Sequence, residues 1–418
     1  MDKSDLLELE NPDVNENDEW KVRYWTIFIG QSLSLLGSSL TQFVLMWWIT
    51  DTTGSISYLA IAGMAALLPQ ALLSPLGGVL ADRYNRRLIM IVSDAISALC
   101  MAVLIFLFLN NSIELWHTFV MMAIRGAMQA FQSPASAAST AMLVPKSFII
   151  KAAGLNQMMQ GVTMVGSAPL GAFAISFMPL GWALSIDVIT AILAITPLFV
   201  FTIPQIRQMK ASNLMGTIKT EFLEGLSLVW QNQGLKRLYG LLGCVVLIVM
   251  PSYTFVPLLV KEYFNGGARE VGIMEGLAGV GMLLGGAIVT AMAPKRKIVW
   301  ILIGSTITCL SLSFVAFTPS TLFWVAAMWW LINGIAFIFL NAPLTALLQT
   351  TIPNQLQGRV LSLLNTIMAL AAPIGLVLAT PLGELIGIRW LFAVVGIAGG
   401  MVSLFGFLSP SLRNLDRK

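Results

Sequence analysis

Four ionisable residues stand inside otherwise apolar stretches of this 418-residue sequence: Asp94, Arg125, Asp187 and Glu275. A charge in hydrocarbon is costly and is kept where it pairs with, binds or moves something. A buried carboxyl is hard to keep ionised, so each of the three acids is a candidate for taking up and releasing a proton. Arg125 is the candidate neighbour that tunes such an acid or meets a bound molecule. Its plainer role is to bridge Ser38, Ser39 or Gln42 of the first apolar stretch. Gln129 follows Arg125 at i+4 and shares its helix face. Glu275 falls near the outer end of its stretch, where an interfacial role would also account for it.

The elements that must position these residues are long. The chain is 57% apolar and 11% charged, against about 25% charged in a soluble globule, so it belongs in a bilayer. A hydrocarbon core of about 30 Å needs about 20 helical residues. Twelve stretches meet that length: 23–48, 58–81, 88–109, 115–141, 151–178, 181–203, 236–260, 270–292, 298–317, 320–348, 359–386 and 389–409. They are too continuously apolar for the alternation of a barrel strand, so helices are expected.

With the N-terminus inside, twenty Lys and Arg fall on the cytoplasmic side, and only Lys261, Arg269 and Arg389 fall outside. That bias places both termini in the cytoplasm. The basic balance thus reports topology and gives no ground for a nucleic-acid partner. Residues 1–19 carry eight acids against Lys3; they lack the basic start of a signal peptide and read as a solvated acidic cytoplasmic tail that stays attached. Residues 20–203 and 236–409 form two six-span units joined by a polar linker, 204–235, with a short tail at 410–418. Cys100, Cys244 and Cys309 all lie in apolar runs and suggest packing; neither a disulfide framework nor a metal site is expected.

The two units repeat one another weakly. Pro134, Pro145 and Asn156 recur as Pro343, Pro353 and Asn365, and Gly78 with Arg86-Arg87 recurs as Gly286 with Lys295-Arg296, always 208 or 209 residues later. Five landmarks in one register argue for two homologous halves. The second copy has Thr290 where Asp82 would stand, so any switching chemistry at that hinge belongs to the first half.

That hinge, Gly78-x-x-x-Asp82-Arg83-x-x-Arg86-Arg87 between the second and third spans, resembles the loop signature of the major facilitator superfamily of secondary transporters. Further residues resemble its drug:proton antiporters, most of all the macrolide-efflux branch: Pro134-Ala135, Leu143-Val144-Pro145, Asn156-Gln157, Ile186-Asp187-Val188 and Gly358-Arg359-Val360. Arg125-x-x-x-Gln129 is similar to a fourth-span antiporter pattern, although Ala130 replaces its usual glycine. Gly161, Gly166, Pro169 and Gly171 are loosely similar to the glycine-proline motif of the fifth span.

The resemblance implies an all-α membrane protein, with twelve transmembrane helices in two pseudo-symmetric six-helix bundles. One central cavity would open alternately to each side, driven by a proton gradient without a cofactor. In such a fold spans three and six stand at the periphery, which makes Asp94 and Asp187 candidates for hydrogen bonds between helices as well as for coupling. Asp82 would face the start of span eleven at Gly358-Arg359, whose free N–H groups and dipole could latch the halves shut with about 0.3–2 kcal/mol. Arg83, Arg86 and Arg87 serve either that latch or topology alone.

Cavity-facing candidates on spans one, four, seven and ten are Gln31, Gln42, Gln129, Tyr253, Trp330, Asn333, Phe337 and Asn341. Aromatics among uncharged amides suit a bulky lipophilic compound better than a sugar or phosphate. No catalytic motif such as His-Glu-x-x-His or Gly-x-Ser-x-Gly appears, and an enzyme is not expected. The expected setting is a bacterial-type inner membrane, with protons, lipid and a small lipophilic substrate as partners. The chain would work as a monomer, with a separate ATPase partner left open. Export of a siderophore or lipid-like metabolite, passive or inward carriage, and a transport-inactive sensor are alternatives on the same fold. If Asp82 is the latch, Asp82→Asn inserts normally and loses transport in a cell-based efflux assay; full activity in that variant removes the latch.

Overall fold

Hydrocarbon offers no water to satisfy peptide groups, so each apolar run closes its hydrogen bonds within itself as a helix. The computed structural model describes residues 19–203, 226–227, 229–352, 354–413 and 415, with the side chains of residues 19, 146, 354–359, 361, 362 and 413 left aside. Nearly all of the acidic tail and most of the linker therefore lie outside the described residues. Twelve long helices account for the rest. The first six are α1 (Glu19–Thr53), α2 (Ile56–Arg83), α3 (Arg86–Leu109), α4 (Leu115–Leu143), α5 (Ile149–Phe177) and α6 (Ser185–Val200), the last preceded by the single turn Leu180–Ala183. The second six are α7 (Gln233–Glu262), α8 (Ala268–Met292), α9 (Lys297–Phe317), α10 (Phe323–Thr351), α11 (Asn354–Ile386) and α12 (Ile388–Phe407).

Eleven of these segments, with α6 counted from Leu180, are long and apolar enough to cross a membrane. The other is α4, whose length is sufficient but whose sequence carries Arg125, Gln129, Gln132 and Ser133. Its shortfall in hydropathy marks it as the helix that turns polar side chains inward. At its start, Glu114 and His117 satisfy each other's backbone N–H groups, so the lone histidine serves as a helix cap. Cys100 and Cys309 are buried, whereas Cys244 is exposed on α7 and does not take the packing role expected of it.

The internal repeat is visible in how glycines pack. A Cβ on Gly77 would lie 1.9 Å from the Ala130 carbonyl oxygen, and one on Gly285, 208 residues later, would lie 2.8 Å from that of Ile335. Gly126 and Gly334, also 208 apart, would meet the carbonyls of Ala66 and Ala278 at 2.2 and 2.0 Å. Each half thus brings α2 against α4, or α8 against α10, to a distance only glycine permits. The hinge glycine that makes this contact is Gly77. Gly78 and Gly286 meet nothing within 4 Å.

Both described ends of the chain lie at one end of the bundle, the terminal end; the opposite one is the distal end. The halves meet toward the distal end. There α5 packs on α8, with Gly272 against Ala168 and Ala172, Gly276 against Pro169 and Gly279 against Val165. There too α2 packs on α7 and α11, with Gly63 against Thr254 and Leu376, and Gly383 against Ile56. One buried apolar cluster spans both halves and includes Leu59, Phe255 and Leu376. Toward the terminal end, two separate clusters form, one around Tyr24, Met90 and Leu198, the other around Tyr239, Leu302 and Leu363. Among the described residues no apolar cluster joins the halves there, so within them the halves are closed at the distal end and parted at the terminal end.

Polar contacts fasten the distal seam. Lys261, at the end of α7, pairs with the Asp51 carboxylate at 2.9 Å and donates to the carbonyls of Asp51 at 2.5 Å and Thr50 at 3.3 Å. A cation on the last carbonyls of α1 satisfies groups that the helix leaves open. Ser57 donates to Glu384 across the same seam.

Gly77→Ala is expected to lower the unfolding temperature of detergent-purified protein, because the new methyl strikes backbone and overpacking costs about 1–3 kcal/mol. Gly78→Ala is expected to leave it unchanged. Equal effects of the two substitutions would contradict this packing.

Candidate functional site

Arg125 lies ten residues into α4, about 15 Å along its axis and close to mid-depth of a 30 Å core. Its guanidinium meets Asp187 of α6, with Nη2 to Oδ2 at 2.8 Å; the side chains are 10% and 2% exposed. Ser38 of α1 donates to the other carboxylate oxygen at 2.7 Å. Arg125 also reaches the Ser38 carbonyl at 3.4 Å and the Thr41 hydroxyl at 3.5 Å. Three helices are therefore tied by one buried pair. The bridge to Ser38 agrees with the sequence reading; the pairing with Asp187, 62 residues away, was not legible there.

Asp94 of α3 is held separately and is also buried. Gln31 Nε2 donates to its Oδ2 at 3.0 Å, and Gln132 Nε2 donates in turn to Gln31 Oε1. This chain runs α4 to α1 to α3. Arg125, Gln129 and Gln132, at i, i+4 and i+7, form one polar stripe on α4. Gln132 was missed in the sequence, although that spacing would have found it. Asp94 and Asp187, candidates for hydrogen bonds between helices, make such bonds and also line one polar cavity inside the first half. It holds about 350 Å³ and is also bordered by Gln31, Gln129, Asn156 and Gln160.

A second cavity, of about 500 Å³, lies between the halves. From the first half it takes Gln42, Phe43, Gln70, Arg125 and Gln129, and from the second Tyr253, Thr254, Pro257 and Glu275. Ser38, Ser97 and Gln129 border both cavities, so the two adjoin. Glu275 faces this space and is partly buried in the wall, a more central place than an interface position.

The remaining candidates divide. Gln31, Gln42, Gln129 and Tyr253 line cavities. Trp330 and Asn333 do not: Trp330 is fully buried in the second half, with its ring 5.6 Å from that of Tyr253. Asn333 donates to the Thr308 carbonyl at 3.0 Å and the Ser311 hydroxyl at 2.8 Å, and accepts from Tyr253 at 3.0 Å. A buried amide whose hydrogen bonds are met within its own half braces that half. Asn333 stands 208 residues after Arg125, so the second half has an uncharged brace where the first has its guanidinium. Phe337 and Asn341 border neither cavity; Asn341 donates back to the Phe337 carbonyl at 2.9 Å.

At the hinge, Asp82 is well exposed and pairs with Arg86 at 3.4 Å. Arg86 also donates to the carbonyls of Ala81 at 2.8 Å and Ala138 at 3.2 Å. Arg87 donates to the carbonyls of Leu198 and Phe199 at the end of α6. These two arginines fasten helix ends within their own half. Arg83 also makes a contact in the structure, while the side chains of Gly358 and Arg359 lie outside the described residues. Among the described residues no cluster of His, Cys, Asp or Glu is arranged to hold a metal.

With this geometry in view, likenesses to known proteins are informative. Residues 27–376 match the family model described as Major Facilitator Superfamily. The chain is 31% identical over 406 residues to macrolide efflux protein A of Streptococcus pyogenes, covering 97% of this chain and all of that one. It is 24% identical over 405 residues to the multidrug efflux pump Tap of Mycolicibacterium fortuitum, covering 91% and 94%. Among solved structures, a POT family transporter in complex with 5-aminolevulinic acid has a TM-score of 0.72 at 12% identity, with coverage of 92% and 95%. A bacterial homologue of the human lysosomal transporter Spinster, inward-facing and unoccupied, has a TM-score of 0.67 at 17%, with coverage of 96% and 98%.

Breaking the buried pair from one side leaves an uncompensated charge and is expected to cost about 3–5 kcal/mol. Asp187→Leu and Arg125→Met should each sharply lower thermal stability in detergent. The double variant should recover most of the loss. A double variant no better than either single change would show that the pair is not the coupling between them.

Proposed function

The chain belongs to the major facilitator superfamily, and from that premise we propose that it exports bulky lipophilic compounds, macrolides among them, by proton antiport with alternating access. The observation that carries this reading is the cavity between the halves, about 500 Å³, walled by amides, aromatics and methionine, with no phosphate-binding cluster of cations among the described residues that line it. Its one guanidinium already faces a carboxylate. Together the two cavities hold three carboxyls, Asp94, Asp187 and Glu275, against Arg125 alone, which disfavours an anionic substrate. The similarity to a macrolide efflux protein and a multidrug efflux pump points the same way.

The excess of Lys and Arg at the terminal end supports assigning that end to the cytoplasm of a bacterial-type inner membrane. The present arrangement then opens inward, and a substrate enters from the cytoplasm or the inner leaflet. Closure at the terminal end would bring the exposed Asp82 toward the start of α11, where the latch expected from Gly78, Asp82 and the Gly358–Arg359 turn would act; Arg86 would release it. Proton uptake is assigned to the first half. Asp187 is bound to Arg125, and Asp94 is the neighbouring acid held only by an amide. A proton arriving on either carboxyl changes the charge balance of the wall that the substrate touches, which ties its movement to the proton's.

Proteoliposomes loaded with the chain provide the test. Under an imposed pH gradient they should concentrate a macrolide. Asp94→Asn should abolish gradient-driven accumulation while leaving counterflow exchange intact; Asp187→Asn should abolish it too, with a loss of thermal stability because Arg125 is left uncompensated. Coupling unchanged in both variants would overturn the assignment, and counterflow without any response to the gradient in the unaltered protein would make it a uniporter.

A further inference from the structure

Of the three carboxyls within the spans, two are held by protein groups and one is not. Asp187 is met by Arg125 and Ser38, and Asp94 by Gln31. Glu275, on α8 one turn beyond the fully buried Val271, receives no hydrogen bond or ion pair from any described residue. Two donors that share its cavity are turned elsewhere. The Tyr253 hydroxyl donates to Asn333, and the Arg125 guanidinium faces Asp187. Glu275 instead borders the central cavity, in the same wall system as the rings of Phe43 and Tyr253.

A carboxylate in such surroundings is costly without a partner, and a bound cation supplies one. The faces of aromatic rings attract the same kind of group. Chain and cavity therefore leave one negative site that a ligand must complete. We propose that Glu275 is the counter-ion for the substrate: it makes the central cavity prefer bulky lipophilic compounds bearing a positive charge over neutral compounds of the same size. Glu275 is then a specificity residue touching the ligand, separate from the Asp94 and Asp187 network that answers to the proton. The inference rests on the export reading only in naming the substrate class of the same cavity.

Equilibrium binding to purified protein tests it without transport. The probes are tetraphenylphosphonium, a permanent cation, and triphenylphosphine oxide, a neutral compound of related shape. The unaltered protein should bind the cation more tightly. Glu275→Gln should weaken cation binding by at least about tenfold, or about 1.4 kcal/mol, and leave the neutral probe unchanged; Glu275→Asp should keep the preference. Cation binding unaltered in Glu275→Gln, or a loss shared equally by both probes, would overturn the proposal. Should the glutamine variant fail to fold, the unaltered protein gives a second reading through dicyclohexylcarbodiimide labelling of Glu275, followed by mass spectrometry. Tetraphenylphosphonium should protect the residue and triphenylphosphine oxide should not; equal protection would contradict the site. A protein that binds the cation selectively but exports neither compound keeps this site and loses the export reading, whereas export confined to neutral compounds does the reverse.

Discussion

A guanidinium at mid-depth of a membrane helix has to be neutralised, and the way Arg125 meets Asp187 constrains much of the first half. The pair draws α4 and α6 together, and Ser38 adds α1. Once those three helices converge on a buried ion pair, the polar residues beside it have a wet, enclosed space to face. Gln31, Asp94 and Gln132 continue the network toward the terminal end. The second half has no equivalent charge: Asn333 stands in the place of Arg125 and Val395 in that of Asp187, each 208 residues on. Two halves built to one plan thus differ where the chemistry is, one ionic and one braced by neutral hydrogen bonds.

That asymmetry suits the proposed export cycle, in which the halves would move as bodies. Contacts within each half are tight, down to glycine backbones in direct contact between α2 and α4 and between α8 and α10. Among the described residues, contacts between halves lie toward the distal end, where small residues of α5 and α8 mesh and Lys261 holds the end of α1. A surface ion pair such as Lys261 with Asp51 is worth about 1 kcal/mol or less. The polar contacts at the seam are therefore light enough to release, and the apolar packing between the halves beside them has to open as well.

Much of this was legible in the sequence because hydrocarbon imposes hard rules. The twelve spans, the repeat at 208–209 residues and the hinge between α2 and α3 all followed from run length, charge placement and register. What stayed hidden depended on which way side chains turn. Trp330 and Asn333 read as cavity residues because aromatics and amides in a span look the same whether they face a cavity or a neighbouring helix. Gly78 stood out through its motif, while its neighbour Gly77 makes the close contact. Lys261 carried information only as a counter of topology and Asp51 carried none, since nothing local in the sequence shows that α7 and α1 end side by side. Asp187 could be flagged as costly, but its partner lay in another helix, and a single sequence gives no measure of that proximity.

Export by the proposed route needs two rigid halves that part at one end as they close at the other. Pulsed electron resonance on spin-labelled pairs measures this directly, with one pair on residues 85 and 295 at the terminal end and another on residues 111 and 321 at the distal end. On adding a macrolide and shifting pH in nanodiscs, the terminal distance should shorten while the distal distance lengthens, each within one population exchange. Distances that stay fixed together, or that lengthen and shorten in step at both ends, would contradict it.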